Sequence, residues 1–139
     1  MKLNKTKVFG LAALAALIGI QFVPVRRDNP SVTGDVTAPK DVQTVLRTSC
    51  YDCHSDETRW PWYSHVAPVS WLIAGDVHGG RDHLDFSTWN DYPDGQRDYY
   101  RKQSYKRVSQ GDMPPLVYLL IHRNAKLTAG DKDILRLWQ

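Results

Sequence analysis

The sequence predicts a mainly α fold, one domain behind an N-terminal hydrophobic helix. Three observations lead there. Apolar residues recur at helical spacing in separate stretches: Val42, Val45 and Leu46; Val69, Leu72, Ile73 and Val77; Ile134, Leu135 and Trp138. Strand-like alternation is nowhere sustained, and no internal repeat is visible. A chain of 139 residues allows a single domain of ordinary size.

The first 25 residues read as a signal or membrane-anchor segment. Lys2, Lys5 and Lys7 lead into Val8 to Val23, an apolar run interrupted only by Gly10, Gly19 and Gln21. Its far end, Gln21-Phe22-Val23-Pro24-Val25, lacks the small residues that signal peptidase selects, so an uncleaved anchor is expected, with an exported soluble form as the alternative. A span of about 16 to 18 residues is at the short end for crossing a bilayer. No cysteine follows the run, which excludes lipoprotein attachment there. Three lysines precede the span, while Arg26 and Arg27 follow it with Asp28 beside them. The excess places the N-terminus inside and the rest on the periplasmic side of the inner membrane.

Overall charge is a poor guide to partners. The net charge of +3 comes from 18 basic and 15 acidic residues, and without the three leading lysines the exported part is neutral. No nucleic-acid partner is expected. The basic residues between Arg97 and Arg107 are interrupted by acids and tyrosines and read as a solvated helix face.

Residues 26–37, with Asn29-Pro30 and Gly34, read as a linker, and the domain proper is expected over 38–139. Pro39 suits a first helical position, and the helix it opens runs towards Thr48. Next comes an aromatic, proline-broken segment with Trp60, Trp62, Tyr63, His65 and Trp71. A helix after Pro68 is expected to stop near Gly79-Gly80. Phe86 to Trp89 reads as an irregular, partly buried connection, and Asp91 to Gly95 as a turn. Gln96 to Gln110, free of Gly and Pro, predicts an exposed helix closed by Gly111. Leu116 to Ile121 predicts a short buried helix. Thr128 with Asp131 three residues later caps a terminal helix.

Both cysteines lie in Cys50-Tyr51-Asp52-Cys53-His54, a C-x-x-C-H run that reads as a covalent haem attachment site. Two thiols three residues apart on a helical turn can each add across a vinyl group of one porphyrin, and the next histidine then serves as proximal iron ligand. A thioredoxin-like redox pair or half of a zinc site competes with this reading. The first wants a βαβ context, and the second wants further ligands from scattered histidines. Covalent haem also requires an oxidising compartment, in agreement with export.

His54 leaves one axial position to fill. Apart from Met1, Met113 is the only methionine, and it sits in Gly111-Asp112-Met113-Pro114-Pro115, where two prolines stiffen the loop. The ordinary alternative is a methionine filling a core gap. Rival ligands are His65, His78, His83 and His122, of which His65, among the aromatics, is the strongest. Trp60 and Trp71 read as haem-pocket rings or as plain core. Arg81 reads as a partner for a haem propionate or as an exposed structural arginine.

The order of these motifs resembles the small bacterial haem-binding domain proteins related to class I cytochromes c. It runs from C-x-x-C-H and Ser55 through Thr58-x-Trp60-Pro61-Trp62-Tyr63-Ser64, Ala67-Pro68-x-Ser70-Trp71, His78-x-x-Arg81 and Phe86-Ser87-x-Trp89. It continues with Met113-Pro114-Pro115, Tyr118-x-x-x-His122 and Ala125-x-Leu127-Thr128, and so covers nearly all of the chain from Pro30 to Trp138. The resemblance implies one covalent haem c, a compact cytochrome c-like helical fold and an extracytoplasmic location. Cys50 and Cys53 are then the attachment points, His54 the proximal ligand and Met113 the distal one. Members often carry an acidic residue where this chain has Gly79-Gly80. The expectation is a membrane-tethered monohaem electron carrier, not an enzyme, served by the cytochrome c maturation machinery and by redox partner proteins. The alternatives are a peroxidase-like enzyme and a gas or redox sensor, both of which need a displaceable distal ligand.

Overall fold

The computed structural model describes residues 4–139; Lys2 of the basic lead lies outside them. The chain forms two compact units, one holding the N-terminal residues through Arg27 together with Trp60–Asp76, the other Asp28–Arg59 and Val77–Gln139. Among the described residues the structure is helical, with no strand and one isolated bridge between Gly34 and Thr88.

In the first unit, α1 (Lys5–Gly19) runs on through a tight turn at Ile20–Phe22. The two together form an 18-residue apolar helix, long enough to cross a membrane, with none of its span buried against protein. Gln21 ends it in a two-way pairing: its amide donates to the Ala67 carbonyl at 3.1 Å, and the Ala67 N–H donates back to Gln21 Oε1 at 3.0 Å. Arg27 donates to the Ser64 carbonyl at 3.3 Å. The segment so held is a single helical turn, Trp62–His65, between two prolines. α4 (Val69–His83) begins after Pro68.

The second unit is built on α2 (Lys40–Ser49), α3 (Tyr51–His54), the last turns of α4, α5 (Asp94–Gln110), α6 (Leu116–Ile121) and α7 (Ala129–Trp138). Pro39 stands just ahead of α2, where its missing N–H costs nothing. Gly111 closes α5 with φ of 81°, a left-handed conformation that glycine adopts without a Cβ clash. Thr128 and Asp131 form the reciprocal capping box at the start of α7. α7 packs on α2 and α5. The core they enclose is Val36, Val42, Val45, Leu46, Tyr51, Phe86, Trp89, Val108 and Leu135. An aromatic chain runs through it: Tyr51 stacks on Phe86 at 5.4 Å, Phe86 meets Trp89 at 5.9 Å, and Trp89 stacks on Trp138 at 5.7 Å.

Four sequence expectations change. The helix after Pro68 does not stop at Gly79-Gly80 but continues to His83, because Gly80 is used for close packing. Phe86 and Trp89 are fully buried at the centre of the core. α5 starts inside the expected turn, at Asp94. α6 forms where expected but buries nothing: Leu116, Val117, Leu120 and Ile121 are 64–78% exposed, since only its Tyr118 side is drawn towards another element.

The stretch read as a linker is docked. Thr33 and Gly34 donate to the Ser87 carbonyl at 3.1 and 2.9 Å, Asn29 donates to the Thr58 carbonyl at 2.9 Å, and Val36 enters the core.

Leu46 has no exposed surface. Truncation to alanine, Leu46→Ala, is expected to cost about 2–5 kcal/mol, as lost burial plus cavity, in urea unfolding followed by helical circular dichroism.

Candidate functional site

α2 ends at the first cysteine. The Cys50 N–H donates to the Leu46 carbonyl at 2.8 Å, and its own carbonyl accepts from Cys53 at 3.2 Å and His54 at 2.9 Å. This turn sets Cys50 and Cys53 one helical turn apart with His54 next in line, and neither cysteine is in a disulfide. Burial, and then the neighbouring Cys53, push the Cys50 thiol up to about 12.

His54 is held by one ring nitrogen. Nδ1 lies 2.9 Å from the Gly80 carbonyl and 3.0 Å from the Leu84 carbonyl. Carbonyls only accept, so Nδ1 carries the proton and Nε2 keeps its lone pair. Burial lowers the imidazole's affinity for a second proton, although the two carbonyls partly oppose this. The result is a tautomer-fixed imidazole whose neutral form is favoured. The Phe86 N–H donates to the His54 carbonyl at 2.8 Å, so the ring's backbone is fixed to the aromatic core.

Gly80 explains how the carbonyl reaches the ring. A Cβ at this position would stand 2.4 Å from the Cys53 carbonyl oxygen. Only a residue without a side chain lets α4 pass so near the Cys50–His54 turn. Gly80→Ala is therefore expected to lose about 1–3 kcal/mol of stability through overpacking, read as a lower urea midpoint. The loss should exceed that of Gly79→Ala, where a Cβ meets nothing within 4 Å.

Arg81, next along α4, is buried rather than exposed, with 8% of its side chain accessible. Its guanidinium donates to the carbonyls of Ser55 at 2.8 Å and Asp28 at 3.0 Å, to Asn29 Oδ1 at 3.0 Å and to Thr58 Oγ1 at 2.8 Å. Asp56, also buried, lies 3.5 Å away as its counter-ion. The arginine thus clamps the loop that follows His54 to residues 28–29. Ser87 completes this layer by accepting the Asp56 N–H at 2.8 Å.

Asp85 borders the same layer. Burial, and secondarily the charge of Asp56, raise its carboxyl to about 6, against the Ser87 N–H and Arg81. Between its ordinary 3.8 and about 6, the folded state holds a proton that the unfolded state has released, so stability falls as pH rises through that window. Asp85→Asn is expected to flatten this slope in unfolding curves taken at successive pH values.

A second tether joins α6 to the Cys50–His54 turn. Asp52, between the two cysteines, accepts from Tyr118 Oη at 2.8 Å and from Arg59 Nε at 3.1 Å. Burial and the Asp52 charge push the Tyr118 phenol up, so it remains a donor at neutral pH. Met113 stands in the loop that leads into α6, 40% exposed, with Pro114 buried behind it. Cys50, Cys53, His54, Arg81 and Met113 all belong to the second unit; Trp60, Trp71 and His65 belong to the first. Of the other histidines, His83 Nδ1 meets the Gly79 carbonyl at 2.8 Å, and His122 stacks on Tyr118 at 4.1 Å. His78 is half-buried on α4.

Sequence reasoning missed Gly80, Leu84, Asp52 and Tyr118. The Gly79-Gly80 pair inside a helical pattern was the available signal for the first.

Residues 15–139 match a family model described as a haem-binding domain. The chain belongs to the haem-binding domain family. Searches among curated proteins and among solved structures give no match. Haem is accordingly the cofactor of this haem-binding domain, and the second unit fits it: two cysteines outside any disulfide on one turn, an imidazole whose Nδ1–H is committed to backbone carbonyls, and a helix brought close by a glycine.

Proposed function

We propose that this haem-binding domain is a membrane-tethered, periplasmic monohaem c-type cytochrome that carries single electrons. The observation that carries the reading is His54. Inside a C-x-x-C-H turn, its Nδ1–H is committed to two backbone carbonyls, which leaves Nε2 as the donor atom. Cys50 and Cys53 would hold the porphyrin as thioethers, with His54 and Met113 as axial ligands. When bound, haem supplies a reversible one-electron change at iron. The chain's part is to orient and to stiffen. The carbonyls of Gly80 and Leu84 fix the imidazole and raise its basicity, Arg81 immobilises the loop beyond it, and Asp52 anchors α6 through Tyr118.

Several features support this over the rival uses of a C-x-x-C pair. A redox-active cysteine has a depressed pKa, whereas Cys50 is pushed up to about 12. Among the described residues there is no strand for a βαβ unit, and no group of three or more His, Cys, Asp or Glu side chains that could hold a metal ion. The apolar helix supports an anchor, and the family match beginning inside it supports its retention as part of the protein. Covalent attachment would then be made by the maturation machinery of the periplasm, and redox partner proteins would exchange the electron.

The oxidised protein is expected to show a far-red sulfur-to-iron charge-transfer band that disappears in Met113→Ala. A wild-type protein with no such band, whose ferrous form binds carbon monoxide readily, would move the assignment to a haem enzyme or gas sensor.

A further inference from the structure

The first unit has an inverted surface. Ser64 and Ser70 are buried, while Trp62, Val66, Val69 and Leu72 stand exposed, Trp62 by 78% and Leu72 by 68%. Between Arg59 and Asp76 there is no Asp, Glu, Lys or Arg, in a chain that is 24% charged. A surface that hides hydroxyls and presents apolar side chains is matched to a medium other than water.

Its place in the fold identifies that medium. The segment is hydrogen-bonded to the end of the apolar helix itself, Ala67 pairing both ways with Gln21 and the Ser64 carbonyl accepting from Arg27. Gln21 lies one residue inside the end of the candidate span, Lys5–Phe22. Residues 64–67 are therefore bound where the helix would leave the hydrocarbon. Trp62 and Tyr63, in edge contact at 5.7 Å, are the residue types that settle at headgroup level, where the ring is apolar and its N–H or O–H remains wet. The missing charges mean that the segment can enter this layer without desolvating an ion.

We infer that Trp62, Val66, Val69 and Leu72 form a lipid-binding surface seated in the interfacial layer of the bilayer that α1 enters. The inference rests on the reading of α1 as a retained membrane anchor. It assigns residues 60–76 a membrane role of their own: the anchor and this patch form one lipid-facing surface, joined through the Gln21–Ala67 pair.

The test uses the full-length haem-loaded protein in phosphatidylcholine–phosphatidylglycerol nanodiscs. A photoreactive p-benzoylphenylalanine replaces Trp62, Leu72 or, as an exposed control in the second unit, Leu137. Irradiation is expected to add the mass of one phospholipid at positions 62 and 72 and not at 137. No lipid adduct at 62 and 72, or equal adducts at all three, overturns the proposal. Hydroxyl-radical footprinting of the unsubstituted protein gives an answer independent of the variants' folding. Trp62 should be oxidised as slowly as buried Trp89, while exposed Tyr99 reacts freely; rapid oxidation of Trp62 overturns the proposal. Intact mass and alkaline carbonate extraction separate the two failures. A chain cleaved before Gln21, or washed off the membrane, removes the anchor and the patch together, whereas an integral, uncleaved chain without lipid adducts removes the patch alone.

Discussion

The approach of α4 to the Cys50–His54 turn is the constraint on which the rest of the second unit depends. At Gly80 the helix comes so near the Cys53 carbonyl that no side chain fits, and this nearness lets the Gly80 and Leu84 carbonyls reach His54. The next residue, Arg81, can then span the loop after the turn and residues 28–29 in one set of contacts. A helix held further off would lose the tautomer lock and the clamp together. The site is thus specified largely by backbone atoms, which accept hydrogen bonds with little conformational entropy left to lose.

The polar layer beneath the site obeys the same economy. Ser55, Asp56, Thr58, Asp85 and Ser87 are all buried, and among the described residues no buried side-chain nitrogen or oxygen lacks a partner. A buried layer of this kind is costly if half satisfied and rigid if complete. Here it is complete, with Arg81 paired to Asp56, while burial, and after it the Asp56 charge, raise the Asp85 carboxyl against the pull of Arg81.

Much of this was legible in the chain. Helical spacing located α2, α4 and α7, freedom from Gly and Pro located α5, and the Thr128–Asp131 cap and Gly111 stop lie where their chemistry requires. The helical turn that carries Cys50, Cys53 and His54 lies where the C-x-x-C-H spacing puts it. What escaped was whatever depends on a distant partner. Gly79-Gly80 reads locally as a helix end, and only the Cys53 carbonyl, far off in sequence, makes Gly80 a packing residue. Leu116 to Ile121 is apolar, but an apolar run states an aversion to water and does not say which element will cover it. Asp52 and Tyr118 lie 66 residues apart, and neither carries a local sign of the other. Arg81 is charged, a type rarely buried unless paired, and Asp56 supplies the pairing only in three dimensions.

The docked course of residues 28–36 bears on how the second unit comes apart. A free coil of the length first assigned to the linker would let its ends wander by roughly 20 Å. Those residues are instead spent on Arg81, Thr58, Ser87 and the core. Chain that is hydrogen-bonded in place has no slack. Residues 28–36 are therefore part of the second unit's cooperative structure, and open with the Arg81 clamp and not ahead of it.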